Sequence, residues 1–159
     1  HAGQVVGLSY TAANATYRAF LWEKGIMTDL GTLGGANSSA SGINPAGQVV
    51  GVSNTAEGTW HAFLWEKGVM TELGPAGEAT EAFSPIGINP AGQVVGESIV
   101  PGIGFSRHAM LFAKGVMTDL GTLGGNISVA SAINPAGQVV GSSSTVGYEP
   151  SHATLWTRK

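Results

Sequence analysis

Three histidines recur at the same step of a repeated segment and are the first candidates for chemistry: His61, His108 and His152. Imidazole nitrogens are common zinc ligands, and each ligand of one zinc ion must lie within about 2.1 Å of it. Packed β-sheets are about 10 Å apart, so histidines on separate sheets cannot share an ion away from a common axis. The sequence therefore predicts no metal site and no cofactor. Each histidine is assigned to hydrogen bonding with a backbone carbonyl or with a repeated acid. These acids are Asp29, Glu72 and Asp119.

Carboxylates that break the repeat are the second group of candidates. Five glutamates have no counterpart in the other copies: Glu57, Glu78, Glu81, Glu97 and Glu149. A glycan hydrolase or lyase needs two carboxylates about 5 to 9.5 Å apart with separated pKa values. Glu78 with Glu81 or Glu97 could supply them, but nothing in the sequence marks these acids as a pair. The sequence also lacks a nucleophilic-serine elbow, an HExxH motif and an EF-hand loop, so the enzyme hypothesis ranks third.

Aromatic residues accompany these acids in the segments between the repeated motifs. Variable loops commonly carry binding functions, and exposed aromatic rings stack on sugars or fill protein interfaces. Ordinary solvated loop residues are the alternative, which stays open at this point. The predicted binding residues are Tyr10, Tyr17, Trp60, Glu78, Glu81, Glu97, Phe105, Tyr148 and Glu149.

Two further kinds of motif lie in these segments. Triplets that match the N-glycosylation pattern begin at Asn14, Asn37 and Asn126, and we expect them on exposed links. Glycine doublets at 34–35 and 124–125 are interpreted as turn residues of the repeat, because no helix pattern follows that would make a phosphate-binding loop.

The element that must position all these residues is a repeat. The segment Ala-Gly-Gln-Val-Val-Gly occurs four times, and its glutamines are Gln4, Gln48, Gln93 and Gln138. A period of about 45 residues is typical of solenoids, propellers and arrays. The sequence predicts one repeat domain over 1–159, with units at approximately 1–44, 45–89 and 90–134 and a partial unit at 135–159.

Each unit contains four strand-like runs, here labelled A to D. In the second unit run A is 41–44, run B starts at Gln48, run C is 61–65 and run D is 70–73. Asn44-Pro45-Ala46-Gly47 predicts a type I turn between A and B, and Glu66-Lys67-Gly68 predicts a three-residue hairpin between C and D. Four antiparallel strands per unit indicate an all-β propeller of about four blades, favoured over a sandwich, an open meander or a solenoid.

Composition supports an all-β chain and excludes several partners. Charged residues are only 11%, glycine numbers 25 and apolar residues reach 43%, which suits short buried strands and tight turns. A net charge of −3 with seven Lys and Arg offers no basic surface for nucleic acid. The sequence has no apolar run long enough for a membrane span and shows no signal-like start.

Three motifs in order resemble the bacterial HAF-type extracellular repeats, named for His-Ala-Phe. They are His61-Ala62-Phe63-Leu64-Trp65, the Met-Thr-Asp-Leu-Gly-Thr-Leu-Gly-Gly segment at 117–125, and the Ile-Asn-Pro-Ala-Gly-Gln-Val-Val-Gly segment at 133–141. The resemblance implies a secreted or cell-surface bacterial protein with a propeller-like repeat and no assigned enzymatic activity. Arg18, Met110 and Thr154 depart from the motif, in the place of the histidine or of the phenylalanine.

The order of the runs also predicts incomplete terminal blades. The first unit begins at run B and the fourth stops after run C, so the two ends duplicate strands instead of completing one blade. We therefore expect a non-enzymatic extracellular module that binds a glycan or a protein through the variable links at one end of its blades. The alternative is a subunit of a homo-oligomer or filament whose open blade edges pair with neighbouring chains.

Overall fold

The computed structural model describes residues 3–11, 16–73, 83–100, 106–146 and 151–157, which form β-strands and turns and no helix. The prediction of an all-β chain is confirmed. The strands are β1 (Val5–Tyr10), β2 (Tyr17–Glu23), β3 (Ile26–Asp29), β4 (Gly34–Ile43), β5 (Val49–Thr55), β6 (Trp60–Glu66), β7 (Val69–Glu72), β8 (Ser84–Ile88), β9 (Val94–Ile99), β10 (Arg107–Ala113), β11 (Val116–Asp119), β12 (Gly124–Ile133), β13 (Val139–Thr145) and β14 (His152–Trp156).

The strands pair with their chain neighbours into four antiparallel sheets. Sheet 1 is β1-β2-β3, sheet 2 is β4-β5-β6-β7, sheet 3 is β8-β9-β10-β11 and sheet 4 is β12-β13-β14. A single parallel pair, Arg107 with Ile127, joins sheets 3 and 4. In the described part of the chain the sheets follow one another in a curled, open arrangement, and they do not form a closed ring of four four-stranded blades.

The apolar core is divided into three clusters, and each cluster lies between two successive sheets. Val49 packs in the cluster shared by sheets 1 and 2, whereas its neighbour Val50 packs in the cluster shared by sheets 2 and 3. Val94 and Val95 divide in the same way between the second and third clusters. Because adjacent residues of a strand point to opposite faces, an apolar pair such as Val-Val buries both faces of its sheet.

The A strands begin earlier than the sequence predicts. β4 starts at Gly34 and β12 at Gly124, so the glycine doublets start strands and their interpretation as turn residues is wrong. Gly34 has φ +107°, and a Cβ on Gly35 would lie 2.8 Å from the carbonyl oxygen of Asn54, so both positions need glycine. Asn37 and Asn126 consequently lie inside β4 and β12, and their expected place on exposed links is also wrong.

The two tight turns differ in how well the sequence describes them. Gly47 N–H donates to the carbonyl oxygen of Asn44 at 3.0 Å, which is the hydrogen bond expected of the Asn-Pro-Ala-Gly turn. The C–D hairpin has two loop residues, because Glu66 pairs directly with Val69. Lys67 has φ 50° and Gly68 has φ 87°, so the loop is a type I′ turn and the predicted three-residue hairpin is wrong.

Candidate binding surface

Three of the predicted binding residues form an aromatic cluster: Tyr10, Tyr17 and Trp60. The ring centroids of Tyr10 and Tyr17 are 5.8 Å apart at an interplanar angle of 65°. Those of Tyr17 and Trp60 are 6.3 Å apart at 15°, an offset parallel arrangement. Tyr10 is 72% exposed and Trp60 is also exposed, so the cluster is open to solvent.

Hydrogen bonds fix the ends of the strands that carry this cluster. Tyr10 and Tyr17 are cross-strand partners at the end of the β1–β2 ladder. Just beyond them Thr11 N–H donates to the Thr16 carbonyl oxygen at 2.9 Å, and the two threonine hydroxyl oxygens lie 2.6 Å apart. The tyrosine pair is therefore held in register up to the link.

A second set of hydrogen bonds connects the cluster across two sheets. Tyr17 N–H donates to Asn37 Oδ1 at 2.9 Å, and Asn37 N–H donates to Asn54 Oδ1 at 3.0 Å. Asn54 is the cross-strand partner of Trp60. β4 thus links the tyrosines of sheet 1 to the tryptophan of sheet 2. Asn37 was predicted as a glycosylation site, and its side-chain amide oxygen accepts a hydrogen bond in this network.

Of the other predicted binding residues, Glu97 lies in the described part of the chain and is not part of the cluster. Glu97 lies on β9, where its Oε1 accepts a hydrogen bond from Arg107 Nη1 at 2.9 Å. This carboxylate is therefore paired with a cation. The remaining candidates lie outside the described residues: Glu78, Glu81, Phe105, Tyr148 and Glu149, together with the sequon at Asn14.

The repeated histidines bridge strands C and D within their own sheets. His61 Nδ1 lies 2.7 Å from Glu72 Oε1, and its Nε2 lies 3.0 Å from Thr59 Oγ1. His108 Nδ1 is 2.7 Å from Asp119 Oδ2. In both pairs the histidine side chain is largely buried while the acid is exposed. This geometry is that of a strand-to-strand clamp.

The first and last units lack this clamp. In sheet 1 Arg18 takes the place of the histidine, and Asp29 Oδ1 accepts a hydrogen bond from Gly31 N–H at 2.8 Å. His152 is exposed on β14, which is an outer strand of sheet 4. Among the described residues no group of three His, Cys, Asp or Glu side chains could hold a metal ion.

Glu57 carries a stabilised negative charge in the turn that leads to Trp60. Hydrogen bonds from its backbone N–H and from the Thr55 hydroxyl hold the pKa of Glu57 below its ordinary value, and the charge of His61 lowers it further. The turn itself is closed by Thr55 N–H, which donates to the Thr59 carbonyl oxygen at 2.9 Å. The link between β5 and β6 is therefore a structured loop with a negative charge, and in the sequence it directly precedes Trp60 of the aromatic cluster.

A cleft of about 640 Å³ between sheets 3 and 4 was not predicted from the sequence. At the two preceding interfaces a methionine of strand D, Met70 or Met117, packs against the core cluster. Among the described residues sheet 4 contributes no such methionine, and Trp156 lines the cleft at the third interface.

Comparison of the chain with protein-family models, with curated proteins and with solved structures found no match. The described part of the chain contains no helix that could cross a membrane.

Proposed function

We propose that this chain is a non-enzymatic carbohydrate-binding module, and that the aromatic cluster is its sugar-stacking surface. The observation that carries the proposal is the aromatic cluster across two hydrogen-bonded sheets, in which Tyr10 and Trp60 are exposed and Tyr17 is half-buried between them. Aromatic rings offer large apolar faces at little conformational cost, and a few convergent polar groups then set orientation. The Thr11 hydroxyl and the Glu57 carboxylate are polar groups on the neighbouring links.

A neutral glycan fits this surface better than a charged ligand. The nearest acid in sequence is Glu57, whose pKa lies below the ordinary value of 4.5, so its carboxylate is ionised at neutral pH and repels anionic sugars. The whole chain has only seven Lys and Arg, so an acidic polysaccharide would find few cations. Uncharged sugar hydroxyls can donate hydrogen bonds to the same carboxylate.

The repeat also supports a proposal for the arrangement of the sheets and for the cellular location of the protein. We infer that the sheets are successive blades of an open propeller-type array, a reading supported by sheets that bury both faces and by core clusters shared between neighbours. The resemblance to HAF-type repeats supports an extracellular or cell-surface place in a bacterium.

The enzyme hypothesis has less support than binding. Catalysis by two carboxylates requires a pair about 5 to 9.5 Å apart. The one described member of the proposed set, Glu97, is bound to Arg107. A protein ligand at the aromatic cluster would use the same rings, and the test below separates it from a glycan.

Binding can be tested with immobilised neutral glycans, followed by calorimetry on any sugar that binds. We expect Tyr10→Ala and Trp60→Ala each to weaken binding about tenfold, since loss of one stacking contact of about 1.4 kcal/mol corresponds to that factor. Ile99→Ala is the matched control, because Ile99 ends β9 as Tyr10 ends β1 and is 53% exposed. Unchanged affinity in both aromatic variants, or binding to no neutral glycan, would overturn the proposal.

A further inference from the structure

Successive sheets pack against each other with a constant pair of faces. The earlier sheet always presents the second valine of the Val-Val pair with the alanine and leucine of strand C. The later sheet presents the first valine with larger side chains of strand C, joined by a methionine of strand D at the first two interfaces. Between sheets 2 and 3 the first set is Val50, Ala62 and Leu64, and the second is Val94, Met110, Phe112 and Met117.

Among the described residues, sheets 1 and 4 each have one of these faces exposed. On the outer face of sheet 4, Val140 is 46% and Leu155 is 57% exposed, and Ala153 beside them is exposed as well. On the outer face of sheet 1, Val5 is 51% exposed, and Trp22 and Met27 are also exposed. At the equivalent internal positions Val49 and Val50 are fully buried.

The two uncovered faces are different from each other, and they are the two halves of the internal interface. Val140, Ala153 and Leu155 occupy the places of Val50, Ala62 and Leu64. The outer face of sheet 1 offers Val5, Phe20, Trp22 and Met27 in the places of Val49, Phe63, Trp65 and Met70. Contiguous exposed apolar side chains of this kind mark an interaction surface.

We propose that the outer face of sheet 4 binds the outer face of sheet 1 of a second copy of this chain, head to tail. We assign a second copy as the partner because its exposed face carries the side chains that cover the equivalent face inside the chain. Successive sheets of the chain already make this type of interface three times. Such a contact is heterologous, so it produces a closed ring if the rotation between copies closes and an open stack if it does not. It is a contact between sheet faces, and it differs from the edge-strand pairing that the sequence suggested.

Charge does not oppose this contact. The charged positions of the outer face of sheet 1 in the described residues are Arg18 and Asp29, which hold the places of His61 and Glu72 in the next sheet. One cation and one anion replace a histidine–acid pair, so the formal charge of the face is balanced. The apolar side chains can be covered without burying an excess of either charge.

The test is sedimentation of the intact chain over a range of concentrations, with one arginine placed on each face. Leu155→Arg blocks the outer face of sheet 4, and Met27→Arg blocks the outer face of sheet 1. We expect the unmodified chain to form species larger than 16.1 kDa, and each variant to weaken association at least tenfold. An equimolar mixture of the two variants should form a heterodimer and nothing larger, because each variant retains the face that the other lacks.

Two controls make the result decisive. Ile99→Arg places the same charge at an exposed position away from both faces and should leave association unchanged, and circular dichroism checks that each variant is folded. Val140→Asp repeats the test on the outer face of sheet 4 with a different residue. The proposal fails if the unmodified chain stays at 16.1 kDa at millimolar concentration. It also fails if either arginine variant assembles like the unmodified chain, as edge-strand pairing or a symmetric contact of one face with itself would allow.

Discussion

Replacing Gly51 with alanine should be much more destabilising than the same replacement at Gly7, although both glycines follow a Val-Val pair. A Cβ at Gly51 would overlap the carbonyl oxygen of Ser39 and lie 2.8 Å from both Ala40 Cα and Phe63 Cε1. The carbonyl belongs to β4, which bulges between Ala40 and Gly42 at this point of the ladder. Neither strand can yield without breaking the pairing of β4 with β5.

At Gly7 the same methyl group meets a different neighbour. In the described residues no A strand pairs with β1, and the atoms nearest to the added Cβ are those of the Phe20 ring, at 3.2 and 3.3 Å. A ring on a half-buried side chain can move by a few tenths of an ångström. The requirement for glycine therefore comes from the A strand and not from the motif itself.

The difference can be estimated from two opposing effects. Overpacking costs about 1–3 kcal/mol, and a clash with a fixed backbone carbonyl belongs at the upper end of that range. Alanine also lowers the conformational entropy of the unfolded chain, which stabilises the folded state by about 0.4–1 kcal/mol. We therefore expect Gly51→Ala to lower the free energy of unfolding by about 2–2.5 kcal/mol, and Gly7→Ala to change it by less than about 0.5 kcal/mol.

Urea denaturation followed by circular dichroism and tryptophan fluorescence measures both values. Gly141→Ala is the matched control for a terminal sheet, because a Cβ there would overlap the carbonyl oxygen of Val129 on β12. Gly141→Ala should resemble Gly51→Ala even though sheet 4, like sheet 1, has three strands. Equal losses at Gly7 and Gly51, or a loss below about 0.5 kcal/mol at Gly51, would contradict the assigned role of the A strand.

Three further changes test the core, the hairpins and the pH response. Phe63→Ala removes a fully buried ring and should lower the free energy of unfolding by about 3–5 kcal/mol in the same urea experiment. Lys114→Asn relieves a lysine held at φ 53° in a type I′ turn, and the urea midpoint should rise by the equivalent of about 0.5–1 kcal/mol. The lowered pKa of Glu57 stabilises the fold above the ordinary value of 4.5, and this stabilisation is lost as pH falls through the lower folded-state pKa. Glu57→Gln should therefore lower Tm at neutral pH and leave it unchanged well below pH 4.5, and an equal Tm difference at both would contradict this assignment.

Local chemistry explains why most strands could be predicted. Val-Val pairs, the His-Ala-Phe-Leu-Trp segment and the Asn-Pro-Ala-Gly turn act within a few residues, so their structure can be read from adjacent positions. The two-residue hairpin could not, because its first loop position holds lysine where asparagine or glycine normally indicates a type I′ turn.

Contacts between sheets account for what the sequence did not show. β4 extends back to Gly34 through small and polar residues without apolar alternation, and it is held by a neighbouring sheet: Ser38 Oγ accepts from Ala19 N–H at 2.9 Å and donates to the Gly31 carbonyl oxygen at 2.6 Å. The aromatic residues were predicted to lie together on the variable links at one end of the blades. That Tyr17 lies against Trp60 depends on how two sheets are offset, which no local pattern encodes.

The division of the core into three clusters has a consequence for how this chain unfolds. Each cluster couples only two neighbouring sheets, so the free energy of the whole is close to a sum of single-sheet terms and nearest-neighbour couplings. Opening can then proceed sheet by sheet from either terminus, and amide hydrogens of β5 and β9 should exchange more slowly than those of β1 and β14. Duplicating an internal unit would add one more coupling and leave the existing ones unaltered, so proteins of this architecture can change length by whole units without redesigning a shared centre.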